Sequence, residues 1–205
     1  MPEIKKAGLP LEEANKAIIL IHGRGATAES ILSLVPHLNL TDYEILAPQA
    51  NGNVWYPFGF MASDEGNKVA LENSLTVLGQ VWSEITAAGI LSENVFIAGF
   101  SQGACLSLEF AARNAQRLGG VMAFTGGLIG EKLKPEMYSG DFQGTPIYIG
   151  SSDRDFHVPA SRINESADLL RKMGADVHVE LFNDPDHTIR EEEINWVNQN
   201  IFIRR

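Results

Sequence analysis

A serine between two glycines is the first feature of this chain that points to chemistry: Gly99-Phe100-Ser101-Gln102-Gly103. The apolar run over residues 94–99 predicts a strand, and residues 104–114 predict a helix. A strand, a sharp turn and a helix in that order hold a serine hydroxyl clear of a sheet, free to attack a carbonyl carbon. The glycines leave room where a side chain would clash with the turn. The helix aims its first amides at the site and favours negative charge developing there. The plainer reading is a serine N-cap after a glycine turn. It needs no partners elsewhere in the chain, so the residues downstream decide.

A serine hydroxyl needs a base to take its proton, and the base needs a carboxylate to orient it. Behind a strand–turn–helix nucleophile the chain order is serine, then Asp or Glu, then histidine. Three histidines follow Ser101: His157, His178 and His187. His178 alternates with Val177 and Val179, so it is expected on the solvated face of a strand. His157 is too close in sequence to the candidate acids to approach from a separate loop. His187 sits in Asp184-Pro185-Asp186-His187-Thr188, after the last predicted strand, and is the expected base. The acid is Asp153 or Asp155, both in the segment 151–155 that follows a strand; the other would cap the loop. An oxyanion needs two main-chain N–H donors. One is Gln102, the residue after the nucleophile. Arg24 in His22-Gly23-Arg24-Gly25 is the expected second, with His22 supporting the loop. That glycine loop lacks the Gly-x-x-x-x-Gly-Lys spacing of a phosphate cradle.

These residues must be positioned by a framework, and the hydropathy pattern supplies one. Residues 17–21 are an apolar run that predicts a strand buried on both faces. A helix is expected over 28–37 and a second strand over 44–47, stopped by Pro48. Leu71, Leu75, Leu78, Trp82 and Ile85 form one apolar stripe on a long helix. Strands are expected over 120–124 and 146–149. Ile163, Ala167, Leu170 and Met173 mark a helix stopped by Gly174. Val177, Val179 and Leu181 mark an edge strand, and a last helix is expected to start near Thr188. Strands alternating with helices imply an α/β fold, a mainly parallel sheet with helices on both faces. Residues 1–205 read as one domain, with no repeat or linker. Chemistry in such a sheet lies in loops at the carboxyl ends of the strands.

The formal net charge of −10 argues against a nucleic-acid partner and against docking on anionic membranes. No apolar run approaches spanning length, and the first residues lack the apolar core of a signal peptide, so stable membrane insertion is not expected. The single cysteine, Cys105, forms no intramolecular disulfide, and a cytoplasmic setting is expected.

With these residues in place, the sequence resembles the phospholipase/carboxylesterase family of α/β-hydrolases, which includes bacterial carboxylesterases and acyl-protein thioesterases. The resemblance runs over nearly the whole chain. It rests on His22-Gly23-Arg24-Gly25, Ala47-Pro48-Gln49-Ala50, Gly99-Phe100-Ser101-Gln102-Gly103-Ala104, Asp155-Phe156-His157-Val158-Pro159 and His187. The family has a His-Gly-x-x-Asp-Pro-x-Val-Pro run with a catalytic aspartate, and an alignment without gaps places Asp155 on it. Ser151-Ser152 stand for His-Gly and Phe156 for the proline, departures that keep Asp153 as the alternative. The resemblance implies a serine esterase acting through an acyl-enzyme on Ser101, with no metal or organic cofactor. Its substrate would be a small-molecule acyl ester, a lysophospholipid or an acyl thioester. A homodimer is an assembly open to it.

About 20 residues separate the strands at 120–124 and 146–149, so no separate lid domain is expected and the site should be open and shallow. Trp55, Tyr56, Phe58 and Phe60 are either a pocket wall or core packing under a loop; Leu128 and Ile129 would line the same pocket. Two other functions compete. One is a non-catalytic ligand-binding protein on the same fold, which would normally have lost a triad residue. The other is a dienelactone-type lactone hydrolase, which carries cysteine at the turn where this chain has Ser101. Cys105, one helical turn further on, is expected to be buried.

Overall fold

The structure, a computed structural model, describes residues 3–203. Among the described residues seven strands form one sheet: β1 (Ile4–Gly8), β2 (Lys16–Ile21), β3 (Tyr43–Pro48), β4 (Val95–Phe100), β5 (Gly120–Phe124), β6 (Pro146–Ser152) and β7 (Asp176–Phe182). Their order is β1-β3-β2-β4-β5-β6-β7. Only β1 runs antiparallel to its neighbour, with Lys6 opposite Leu46. The other pairs are parallel. This is the α/β-hydrolase architecture.

Alternation within the buried strands feeds two cores. Ala17, Ile19 and Ile21 point to one face with Ile97, Val121 and Ile149. That face is covered by α2 (Asp64–Ala87), α3 (Gln102–Arg113) and α4 (Ala160–Lys172). Ile18 and Leu20 point to the other face with Phe96, Met122 and Tyr148. Helices α1 (Ala28–Ile31) and α5 (Glu191–Asn200) cover that face. The stripe on α2 behaves as its spacing predicts: Leu71, Leu78 and Ile85 are buried, and Leu75 and Trp82 pack partly buried against them. Between β5 and β6 the chain forms loops, one 3-10 turn, Pro135–Met137, and a single bridge from Gly140 to Ala115.

Several elements differ from the sequence expectation. Strand β1 has no counterpart in the hydropathy pattern, because Lys5 and Lys6 interrupt its apolar run; as an edge strand it leaves Lys5 half-buried and Lys6 exposed. Lys6 pairs with Glu84 on α2. The helix expected over 28–37 stops at Ile31 and continues as a 3-10 turn, Leu32–His37, with Pro36 inside it. Pro48 ends β3 rather than standing beyond it. Helix α3 begins at Gln102, two residues earlier than expected. Helix α5 begins at Glu191 rather than near Thr188, where three consecutive glutamates face its positive end.

Candidate active site

Ser101 follows β4, at the centre of the sheet, and its backbone adopts φ 55°, ψ −117°. A non-glycine residue with positive φ is strained, and such strain gathers at functional sites. The turn is held by hydrogen bonds from Ser101 N to Phe124 O (2.9 Å) and from Cys105 N to Ser101 O (3.1 Å). The flanking glycines are steric requirements. A Cβ on Gly99 would lie 2.3 Å from Gly103 O, and one on Gly103 would lie 2.0 Å from Ile21 O.

Three residues from three loops meet above this turn. Ser101 Oγ lies 2.8 Å from His187 Nε2. His187 Nδ1 lies 2.7 Å from Asp155 Oδ2. The carboxylate accepts the Nδ1 proton, which leaves Nε2 as acceptor for the serine hydroxyl. The other carboxylate oxygen accepts the main-chain N–H groups of His157 (2.7 Å) and Val158 (2.9 Å). The Asp155 side chain is fully buried. Asp153 is exposed and pairs with Arg154, away from the imidazole. The geometry thus separates the two aspartates that the sequence left open. His157 packs edge-on against His187, with centroids 5.2 Å apart, and does not reach the serine. His178 is half-buried on the polar face of β7, where one side of its ring stacks on Trp196 of α5 at 4.1 Å.

Arg24 and Gln102 both border the Ser101 cleft. Gln102 N is the first amide of α3, which has no acceptor within its helix. Among the described residues no hydrogen bond engages Arg24 N. Their side chains clasp the aromatic loop. The Arg24 guanidinium donates to Tyr56 O (2.9 Å), Pro57 O (2.8 Å) and Phe58 O (2.6 Å). Gln102 accepts from Trp55 N (2.9 Å) and donates to Tyr56 O (2.8 Å). His22 is fully buried beneath, and burial pulls its pKa below the usual range. The neutral ring accepts from Ala50 N (3.1 Å) and donates to Gly23 O (2.8 Å).

The cleft encloses about 360 Å³ and is walled by Tyr56, Phe60, Phe100, Cys105, His157 and Val158. Four expected wall residues lie elsewhere: Phe58 is exposed, Ile129 lines a separate cleft, and Trp55 and Leu128 lie in the layer beneath. Trp55 is a core residue whose indole N–H donates to His22 O. Leu128 is fully buried, with its N–H held by Ser166 and its carbonyl by Arg162. A sequence does not distinguish a cleft wall from the layer directly beneath it. A second cleft of about 300 Å³, between α2 and the 129–138 segment, contains Glu109, Arg113 and Tyr138 but no serine–histidine pair. Among the described residues no cluster of His, Cys, Asp or Glu is arranged to hold a metal ion. No helix among them is long and apolar enough to cross a membrane.

The model of the Phospholipase/Carboxylesterase family matches residues 4–204. The chain belongs to this family. It is accordingly a serine esterase, a hydrolase acting on esters. It is similar to a solved phospholipase/carboxylesterase from Dyadobacter fermentans, with 46% identity, a TM-score of 0.97, and 99% of this chain and 97% of that one covered. Acyl-protein thioesterase 1 of Kluyveromyces lactis is 27% identical over 182 residues, 78% of each chain. Acyl-protein thioesterase 1 of Gibberella zeae is 29% identical over 120 residues, 58% of this chain and half of that protein.

Proposed function

We propose that the chain hydrolyses carboxylic esters of small acyl substrates through an acyl-enzyme on Ser101. The observation that carries this reading is the continuous hydrogen-bond chain from Asp155 through His187 to Ser101, at 2.7 and 2.8 Å. Ser101 Oγ attacks the acyl carbonyl while its proton passes to His187 Nε2. The main-chain N–H groups of Arg24 and Gln102 hold the oxyanion. The alcohol leaves with the proton from Nε2. Water then attacks the acyl-enzyme, gives its proton to Nε2, and the acid departs as Ser101 recovers it. Asp155 fixes the imidazole tautomer and stabilises the imidazolium. Tyr56 and the other aromatic walls of the cleft face the substrate. The chemistry calls on no cofactor.

Two relatives are named acyl-protein thioesterases, which supports an acyl thioester as a second substrate class for the same machinery. The cytoplasm suits the lone, buried thiol. The acidic surface suits neither nucleic acid nor stable membrane insertion, and a homodimer is the assembly to test by light scattering. The function itself is tested with a fluorophosphonate probe and a panel of acyl esters of graded length, with one thioester and one lysophospholipid. The probe should label the wild type and not Ser101→Ala, and at least one ester should turn over. A folded wild type that neither takes the label nor turns over any ester overturns the reading.

A further inference from the structure

His187 stands in the 183–190 segment between β7 and α5, with no regular element to fix it. A base carried on a loop must still be held closely, since a displacement of about 1 Å can cost on the order of a hundredfold in rate. Asp155 holds the ring, and two other groups hold the main chain. Thr125 Oγ1 donates to Thr188 O at 3.3 Å. Ser152 Oγ contacts Asp186 O. The carbonyls on either side of His187 are thus met by two hydroxyls, one at the end of β5 and one at the end of β6.

Neither hydroxyl is a surface accident. Thr125 and Ser152 are both fully buried. Thr125 has φ 62°, a conformation that a β-branched residue rarely adopts. In it, Thr125 N donates to Gly150 O of β6 (2.8 Å) while its hydroxyl meets Thr188 O. A backbone outlier maintained in a buried position licenses a functional hypothesis. Ser152 belongs to a wider lock. Its oxygen accepts from Arg190 Nη2 at 2.6 Å and lies 2.9 Å from Asp184 Oδ1. Asp184 Oδ1 also accepts from Asp186 N at 2.9 Å and from Arg190. The Arg190 guanidinium sits over Phe182, 4.4 Å from the ring centroid. Both main-chain polar groups of Asp186, the residue before the base, are therefore engaged.

We propose that Thr125 and Ser152 are positioning residues for His187, two hydroxyl staples that keep Nε2 aimed at Ser101. This rests on the reading of His187 as the base. The test uses the full chain and a soluble short-chain acyl ester. Thr125→Val and Ser152→Ala should each lower kcat by about tenfold and together by about a hundredfold, with KM within about twofold. Thr125→Ser, which restores a hydroxyl, should return kcat to within about threefold of wild type. In a His187→Ala background the two substitutions should leave the residual rate unchanged, because nothing remains to be positioned. A purely structural role would lower that rate further and would resist rescue by serine. If Thr125→Val does not fold, Ser152→Ala and its cycle with His187→Ala carry the test alone. The proposal is overturned if the folded variants retain full kcat while His187→Ala is inactive. If His187→Ala itself remains active, the base assignment falls instead.

Discussion

On the nucleophile side of the cleft, five consecutive residues at the centre of the sheet carry Ser101, and close backbone contact holds them. On the base side, Asp155 and His187 stand 32 residues apart on loops after β6 and the edge strand β7, and side-chain hydrogen bonds hold them. The first arrangement follows from sterics within one turn: Gly103 has no room for a Cβ against Ile21 O. The second depends on side chains outside the triad: Thr125, Ser152, Asp184 and Arg190. A nucleophile placed by sterics should tolerate little change but fail through folding. A base placed by a polar network should fail through rate while the fold survives.

The largest expected effect separates the two aspartates on the base side. Asp155→Asn should lower kcat/KM by about 10⁴-fold, since the amide can hold the wrong tautomer, while Asp153→Asn should stay within about threefold. Steady-state kinetics on both variants decide, and the reverse ranking would return the acid to Asp153. Next comes the nucleophile side. Gly103→Ala should cost about 3 kcal/mol or more through backbone overpacking, lowering Tm by roughly 6–12 °C, or should prevent folding. Calorimetry showing an unchanged Tm would remove the steric account of the turn. The smallest effect concerns Glu193, buried on α5 beneath the Arg190 lock, whose pKa burial pushes up to about 7 from 4.5. The unfolded chain gives up this proton near 4.5 and the folded chain keeps it until about 7, so stability falls as pH rises between those values. Glu193→Gln removes that loss. Its Tm should match wild type near pH 4 and exceed it by a few degrees at pH 8, and a wild type that gains on the variant with rising pH contradicts the assignment.

The same contrast explains what the sequence made legible. The Gly99–Gly103 turn is contiguous, so its glycines, strand and helix could be read together. Chain order leaves three histidines after Ser101, and the strand pattern around His178 and the closeness of His157 to the candidate acids leave His187. The acid cannot be chosen in this way, because Asp153 and Asp155 share one loop, and only the fold turns Asp155 inward to His187 and to the N–H groups of His157 and Val158. Strand β1 is not legible in the sequence because an edge strand needs no continuous apolar run. Alternation distinguishes the two faces of β7 but not that Trp196 of α5 stacks on His178 on the polar one. Trp55 and Leu128 belong to the layer beneath the cleft wall, and the sequence alone does not separate the two because aromatic and apolar residues serve equally in both.

Cys105 forms part of the cleft wall, yet it is only 2% exposed. Burial pushes its thiol up to about 12, so at neutral pH it is protonated and sheltered from electrophiles. It is also the only cysteine in the chain. A second cysteine introduced at position 156 would therefore be the one fast-reacting thiol: Phe156 is 93% exposed and touches His157 edge-on. A dye attached there would sit at the rim of the cleft and report its occupancy by fluorescence, with the native cysteine left in place.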